Sequence, residues 1–289
     1  ILYITWKLTF QTFHKDGGLP IEWFRYNTFW KWFCDYFPII LHKTYDLDAG
    51  KTNYIFGYHP HGIIGMGAFG TFAAMNSGFS KLFPNVDVRL LTLRLNFYLP
   101  FFGFFLTCMG VCDVSRESCD NILNTTKIDG TKKSICIVLG GAKESLDAHP
   151  DQVKLFLNRR KGFVKLALCH GASLVPVFGF GENELFKQMK NPKGSLTRRI
   201  QEKLQTKLGF AIPLFHGRGI FQYNYGLMPI RTPINVVFGK PIKCPKLAKS
   251  QIDTEMIRYY HEEYKTQLKE LFDQHKHKFY TNPPELQFV

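Results

Sequence analysis

The sequence predicts an α/β domain: a mainly parallel sheet flanked by helices on both faces. Three observations lead there. Four short apolar runs, Tyr54–Tyr58, Ser134–Leu139, Ser173–Phe178 and Ile234–Phe238, are continuous rather than alternating, as in strands buried on both sides. Helical patterns over Arg116–Asn124, Gly162–His170 and Leu196–Leu208 separate them, and strand–helix alternation belongs to parallel sheets. Polar motifs follow the runs directly: His59-Pro60-His61-Gly62, Gly140-Gly141-Ala142-Lys143-Glu144 and Gly179-Phe180-Gly181-Glu182. Ligands of such sheets gather at the carboxyl ends of the strands.

The remaining elements follow in chain order. Ile1 to Trp6 is apolar but stops at Lys7, too short to cross a bilayer, which takes about 20 residues. Residues 19–42 are rich in Trp, Tyr and Phe. Trp30 with Phe33, or Trp32 with Tyr36, share a helical face flanked by Arg25 and Lys31. That stretch reads equally as an amphipathic interfacial helix or as a helix packed on the core. Residues 63–75 and 95–112 are apolar but too broken to span. They are core segments or stretches sunk partly into one leaflet. Ser250-Gln251-Ile252-Asp253 has the form of a capping box opening a helix with Ile257, Tyr260, Tyr264, Leu268 and Leu271 on one face. No repeat or linker divides the chain.

The formal charge of +14 favours anionic partners. With 28 Phe and no basic stripe interleaved with aromatics, it points to a lipid surface or a phosphate-bearing substrate rather than nucleic acid. Seven cysteines without a CxxC read as reduced thiols, and no His/Cys cluster has zinc-like spacing, so no metal is expected. Gly65-Met66-Gly67-Ala68-Phe69-Gly70 fits a dinucleotide fingerprint, with Asp87 beyond it. The strand already ends at Pro60, however, so those glycines belong to the next helix or loop, and an NAD(P)-dependent oxidoreductase is a distant alternative.

His59 and His61, set around a proline at a strand end, give a rigid mount for an imidazole. Transfer of an acyl group to an alcohol needs such a base, because the hydroxyl must lose its proton as it attacks. No serine or cysteine stands in a nucleophile-elbow context, which favours direct transfer.

The same residues carry a resemblance. Phe56-Gly57-Tyr58-His59-Pro60-His61-Gly62 is similar to the signature of the type-2 diacylglycerol acyltransferase and monoacylglycerol acyltransferase family. Tyr36-Phe37-Pro38, Val114-Ser115-Arg116, Gly140 to Ser145, Arg160 to Ala167 with Val175-Pro176 and Phe180-Gly181-Glu182, Phe215 to Gly219, and Gly239 to Ile242 follow in order. The resemblance implies a glycerolipid-acyltransferase-like fold, an amphipathic membrane-associated N-terminal region over residues 1–45 (the remnant of a membrane hairpin), and a catalytic domain over residues 46–289. It implies acyl-CoA as a substrate, so that no cofactor is needed, and diacylglycerol as acceptor, with monoacylglycerol or a fatty alcohol as alternatives. It places the chain at the endoplasmic reticulum membrane or lipid droplets, facing the cytosol, with homo-oligomerisation left open.

Plant relatives that carry Glu at the first histidine make His61 the base and His59 secondary. The wider superfamily orients its histidine with an acid five residues on. Here those positions are Ile64 and Met66, so Glu144 at the next strand end is the candidate partner. Backbone N–H groups near Gly62, or at Gly140 and Gly141, would hold the oxyanion. Arg116, Arg160 and Lys161 would bind CoA phosphates, which suit guanidinium forks. A catalytically silent lipid-binding protein on the same fold is the reading from a different class.

Overall fold

In the computed structural model, residues 13–48, 50–150, 152–189, 194–208 and 213–289 are described, with Thr5. The opening run Ile1 to Trp6 lies, Thr5 apart, outside them. The strands are β1 (Ile39–Lys43), β2 (Tyr54–His59), β3 (Asp87–Thr92), β4 (Cys112–Asp113), β5 (Lys133–Val138), β6 (Val153–Leu155), β7 (Ser173–Phe180), β8 (Lys187–Gln188), β9 (Phe215–His216), β10 (Ile234–Phe238) and β11 (Leu286–Phe288).

Seven of them form one sheet in the order β1-β10-β7-β2-β5-β3-β4. Every pair is parallel except β10 with β7. The sheet is thus mainly parallel, as the continuous apolar runs predict. All four predicted strands are present, and the helices over Arg116–Asn124, Gly162–His170 and Leu196–Leu208 form over those spans. Strands β1, β3 and β4 are additions. Ile39–Lys43 of the N-terminal segment pairs with β10, so that part of the segment belongs to the sheet.

β2 is the central strand, and all six of its residues are buried. Its side chains alternate between two cores, as the period of a strand requires. Tyr54, Phe56 and Tyr58 join one core with Trp30, Phe72 and Phe238. Ile55 joins the other with Val164, Tyr264 and Leu268. The helices Thr28–Tyr36, Met66–Phe72 and Phe102–Cys108 cover the first face; Arg116–Asn124, Gly162–His170 and Thr254–Phe279 cover the second. The predicted capping box is corrected. Ser250 lies in a 3-10 turn, and Asp253 caps the last helix by accepting from the Met256 N–H at 2.7 Å.

Residues 63–75 resolve as core except at Ile64, which is exposed: Gly67, Ala68, Gly70, Thr71 and Phe72 of the helix Met66–Phe72 are buried. The glycines of the dinucleotide-like pattern therefore open and build a helix, as expected from Pro60. Residues 95–102 differ, because Leu95, Leu99, Phe101 and Phe102 stay exposed. The aromatic helix Thr28–Tyr36 is two-sided. Trp30 is 6% exposed and packs edge-on against Phe69, with Phe33 beside the same ring, so these two are structural. Trp23, Phe29 and Trp32 are 72%, 57% and 66% exposed. Of the two helical faces open at the sequence level, the outward one is therefore that of Trp32. Among the described residues, no helix is long and apolar enough to cross a membrane.

Trp30→Ala should accordingly cost about 3–5 kcal/mol of stability, the scale for emptying a packed aromatic site. Trp32→Ala should stay within about 0.5 kcal/mol, as for an exposed substitution. Thermal unfolding of both variants in detergent checks the contrast; equal losses would contradict the assigned faces.

Candidate active site

His59 and His61 are both delivered by the end of β2, but to different surroundings. His59 is 1% exposed. Its Nε2 lies 3.1 Å from the Tyr264 hydroxyl, which itself donates to the Gly57 carbonyl at 3.1 Å. A tyrosine has one proton to donate, so Nε2 of His59 must be the protonated nitrogen. Burial drives its pKa down to about 3. His59 is therefore a fixed, neutral structural imidazole tied to the last helix. That approach needs Gly57, because a Cβ there would fall 2.0 Å from the Tyr264 oxygen.

His61 lines a cavity of about 1120 Å³. Its Nδ1 lies 3.1 Å from the Gly62 carbonyl. A carbonyl only accepts, so Nδ1 carries the proton and Nε2 keeps its lone pair, the tautomer a base requires. Burial lowers the imidazole pKa; the Gly62 contact opposes this and the Arg160 charge reinforces it. A lowered pKa keeps the ring neutral, ready to accept a proton near pH 7.

Glu144 does meet His61, though not at the ring. Its Oε1 accepts the His61 backbone N–H at 2.6 Å, and its Oε2 accepts the Phe156 N–H at 2.9 Å. The expectation of an acid that orients the imidazole is thus corrected: Glu144 sets the backbone that carries the ring. Burial pushes its carboxyl up to about 7 against the pull of those two N–H donors. Gly140 is packed under this group, since a Cβ there would lie 2.2 Å from a carboxylate oxygen. Gly141, by contrast, lines the cavity.

Arg116, Arg160 and Lys161 all reach the same cavity, and Arg159, which the sequence reading passed over, joins them. Arg116 is paired with Asp120 at 2.9 Å, and Asp120 also holds His170 at 2.7 Å. Arg159 to Lys161 precede the helix Gly162–His170, and their loop is held by the C-terminal strand. Val289 donates to the Leu155 carbonyl at 2.8 Å, and the Asn158 side chain donates to that of Phe288 at 3.1 Å. The remaining wall is mostly apolar, with Phe33, Phe69 and Phe105 half-buried and Ile64 and Phe102 at exposed positions, and Thr92 and Asn96 add polar groups. One chamber therefore has a basic rim and an apolar rim, with the His61 imidazole on its wall. Among the described residues, no group of His, Cys, Asp and Glu could hold a metal ion.

The family model "Diacylglycerol acyltransferase" matches residues 1–288, and the chain belongs to that family. The diacylglycerol O-acyltransferase 2A of Umbelopsis ramanniana is 49% identical over 96% of this chain and 77% of its own. The 2-acylglycerol O-acyltransferase 1 of Bos taurus is 50% identical over 96% and 81%. Of solved structures, the 1-acyl-sn-glycerophosphate acyltransferase PlsC of Thermotoga maritima aligns over 94% of this chain and 83% of its own, at 13% identity and a TM-score of 0.39.

The buried groups make stability depend on pH in two opposing senses. Glu144, raised from 4.5 to about 7, holds its proton more tightly when folded. It contributes stability that is full below pH 4.5 and lost as pH rises toward 7. His59, lowered from 6.5 to about 3, contributes stability that is full above pH 6.5 and lost as pH falls toward 3. Glu144→Gln should therefore steepen the rise of the unfolding midpoint between pH 4.5 and 6.5 relative to wild type. An unchanged slope would mean that this carboxyl does not titrate as a buried acid.

Proposed function

We propose that this chain transfers the acyl group of acyl-CoA to the free hydroxyl of diacylglycerol, working at the endoplasmic reticulum membrane with the chamber open to its surface. The observation that carries the reading is the two-rimmed chamber with a correctly tautomerised imidazole on its wall. A basic rim suits the phosphates of CoA, an apolar rim suits lipid chains, and the chemistry between them needs one base. Monoacylglycerol is the second acceptor to consider, because the bovine 2-acylglycerol acyltransferase matches as well as the diacylglycerol enzymes do. No cofactor enters the scheme.

In this scheme the acceptor hydroxyl gives its proton to Nε2 of His61 as its oxygen bonds to the thioester carbon. The resulting oxyanion is held by the backbone at Gly141, part of the chamber wall. The C–S bond then breaks, and the imidazolium returns its proton to the departing CoA sulfur. Arg159, Arg160 and Lys161 bind the phosphates, and Arg116 exchanges part of its pairing with Asp120 for them. Transfer is direct, with no acyl-enzyme. A lipid-binding protein without activity would have no use for a neutral histidine in this tautomer beside a basic rim.

His61→Ala should lower kcat by about a hundredfold or more, the scale for losing a general base, without lowering expression. His59→Ala should instead show as a loss of thermal stability. Replacing Arg160 and Lys161 together with Gln should raise KM for acyl-CoA more than KM for the lipid, and flatten the salt dependence of the former. Labelled acyl-CoA with each acceptor in turn checks the first and the third, and thermal unfolding checks the second. A fully active His61→Ala variant would sink the proposed mechanism.

For the membrane, the exposed residues Trp23, Phe29 and Trp32 supply the interfacial aromatics. Changing all three to Ser should cut co-flotation with liposomes while leaving the unfolding midpoint in place. Wild-type attachment should resist high salt and yield to detergent, because apolar burial is not screened. Release by salt alone would argue against this face.

A further inference from the structure

The central strand has two neighbours, β5 on one side and β7 on the other, and the turn after each supplies a buried glutamate. Glu144, after β5, holds the His61 N–H. Glu182, after β7, is 2% exposed and has no part in the mechanism above. Its Oε2 accepts the Tyr58 hydroxyl at 2.8 Å and the Gly67 N–H at 2.9 Å. Tyr58 is the penultimate residue of β2, and Gly67 lies in the first turn of the helix Met66–Phe72. One carboxyl thus joins the two ends of the turn that bears His61.

It also fills the space beneath that turn. Gly62 has φ +60°, and a Cβ there would fall 2.8 Å from Cγ of Glu182; a Cβ at Gly67 would fall 2.4 Å from Oε2. Neither position has room for a larger residue. A buried acid is costly unless donors satisfy it, and an apolar side chain would fill the same volume without that cost. What the acid adds is a fixed acceptor for two donors that bracket the turn.

We propose that Glu182 is a positioning residue for the acyl transfer. It fixes the β7 side of the His61 turn as Glu144 fixes the β5 side, so that the imidazole holds one orientation against the chamber. The proposal rests on His61 being the base, and its test separates the two. Glu182→Ala should lower kcat per folded molecule by roughly ten- to hundredfold, the cost of a small misplacement of a catalytic group, with KM for acyl-CoA nearly unmoved. Glu182→Gln, which keeps an oxygen acceptor, should restore most of the rate.

The decisive readout is the double variant. A residue that acts through His61 loses nothing further in a His61→Ala background, whereas a merely structural one loses the same factor again. An additive loss, or a wild-type kcat in Glu182→Ala, overturns the proposal while leaving His61 as base. An active His61→Ala variant overturns the base assignment itself, and this proposal falls with it. Where Glu182→Ala does not fold, Tyr58→Phe serves, because it removes one of the two donors and leaves the cavity filled. It should lower kcat severalfold, again without effect in the His61→Ala background, and a wild-type kcat in it counts against the proposal.

Discussion

The hydrogen bond from the His61 backbone N–H to Glu144 ties the chemistry to the fold. A strand that leaves the middle of a parallel sheet carries polar backbone into a dry region, where each N–H needs a partner. Here that partner is a side chain from the neighbouring strand end, and its second oxygen takes the Phe156 N–H. Three residues beyond Phe156 begins the basic run Arg159-Arg160-Lys161. A single carboxyl therefore sets the separation between the proposed base and the proposed phosphate-binding rim. Gly140 is small for the same reason, since the carboxyl occupies the space a side chain would need.

The two histidines show how proton placement follows from hydrogen-bond arithmetic. Pro60 separates them, yet one is held by a hydroxyl whose own proton is committed to Gly57, and the other by the Gly62 carbonyl. The first contact protonates Nε2 and the second protonates Nδ1. Only the second leaves Nε2 free on a ring that lines the chamber. Burial depresses both pKa values and keeps both rings neutral, so the difference in role comes from tautomer and access rather than charge.

Much of this was legible in the sequence because local patterns coincide with global constraints. Continuous apolar runs marked four of the seven sheet strands, and the polar motifs after two of them supplied His61 and Gly141 to the wall of the site. β3 escaped because Asp87-Val88-Arg89 places charges in a strand near the sheet edge, where Arg89 reaches the Gly17 carbonyl at 2.7 Å. β4 is two residues long and has no pattern to read. Glu182 was visible as an acid at a strand end, but nothing in sequence says that it folds back under its neighbour's turn. Tyr264 was visible only as a helix-face position. Its contact with His59 spans 205 residues and exists only in three dimensions. Glu144 was found for the right location with the wrong contact, because spacing places a residue near a site without saying which atom it meets.

The N-terminal aromatics divide between two faces of one helix. Trp30 and Phe33 turn inward and line the chamber, while Phe29 and Trp32 on the same helix turn outward. The helix Thr28–Tyr36 is thus a wall one helix thick between the proposed bilayer contact and the apolar part of the site. Its far end is held in place: the Tyr36 hydroxyl donates to the Pro229 carbonyl at 2.6 Å and accepts from Arg218 at 2.7 Å. A nearly water-insoluble acceptor must travel from lipid to base without crossing water. In the proposed scheme, a thin aromatic wall beside the exposed Ile64 and Phe102 keeps that path short. The aromatic excess of this segment therefore follows from building a core face and an exposed aromatic face, the proposed lipid contact, on a single helix.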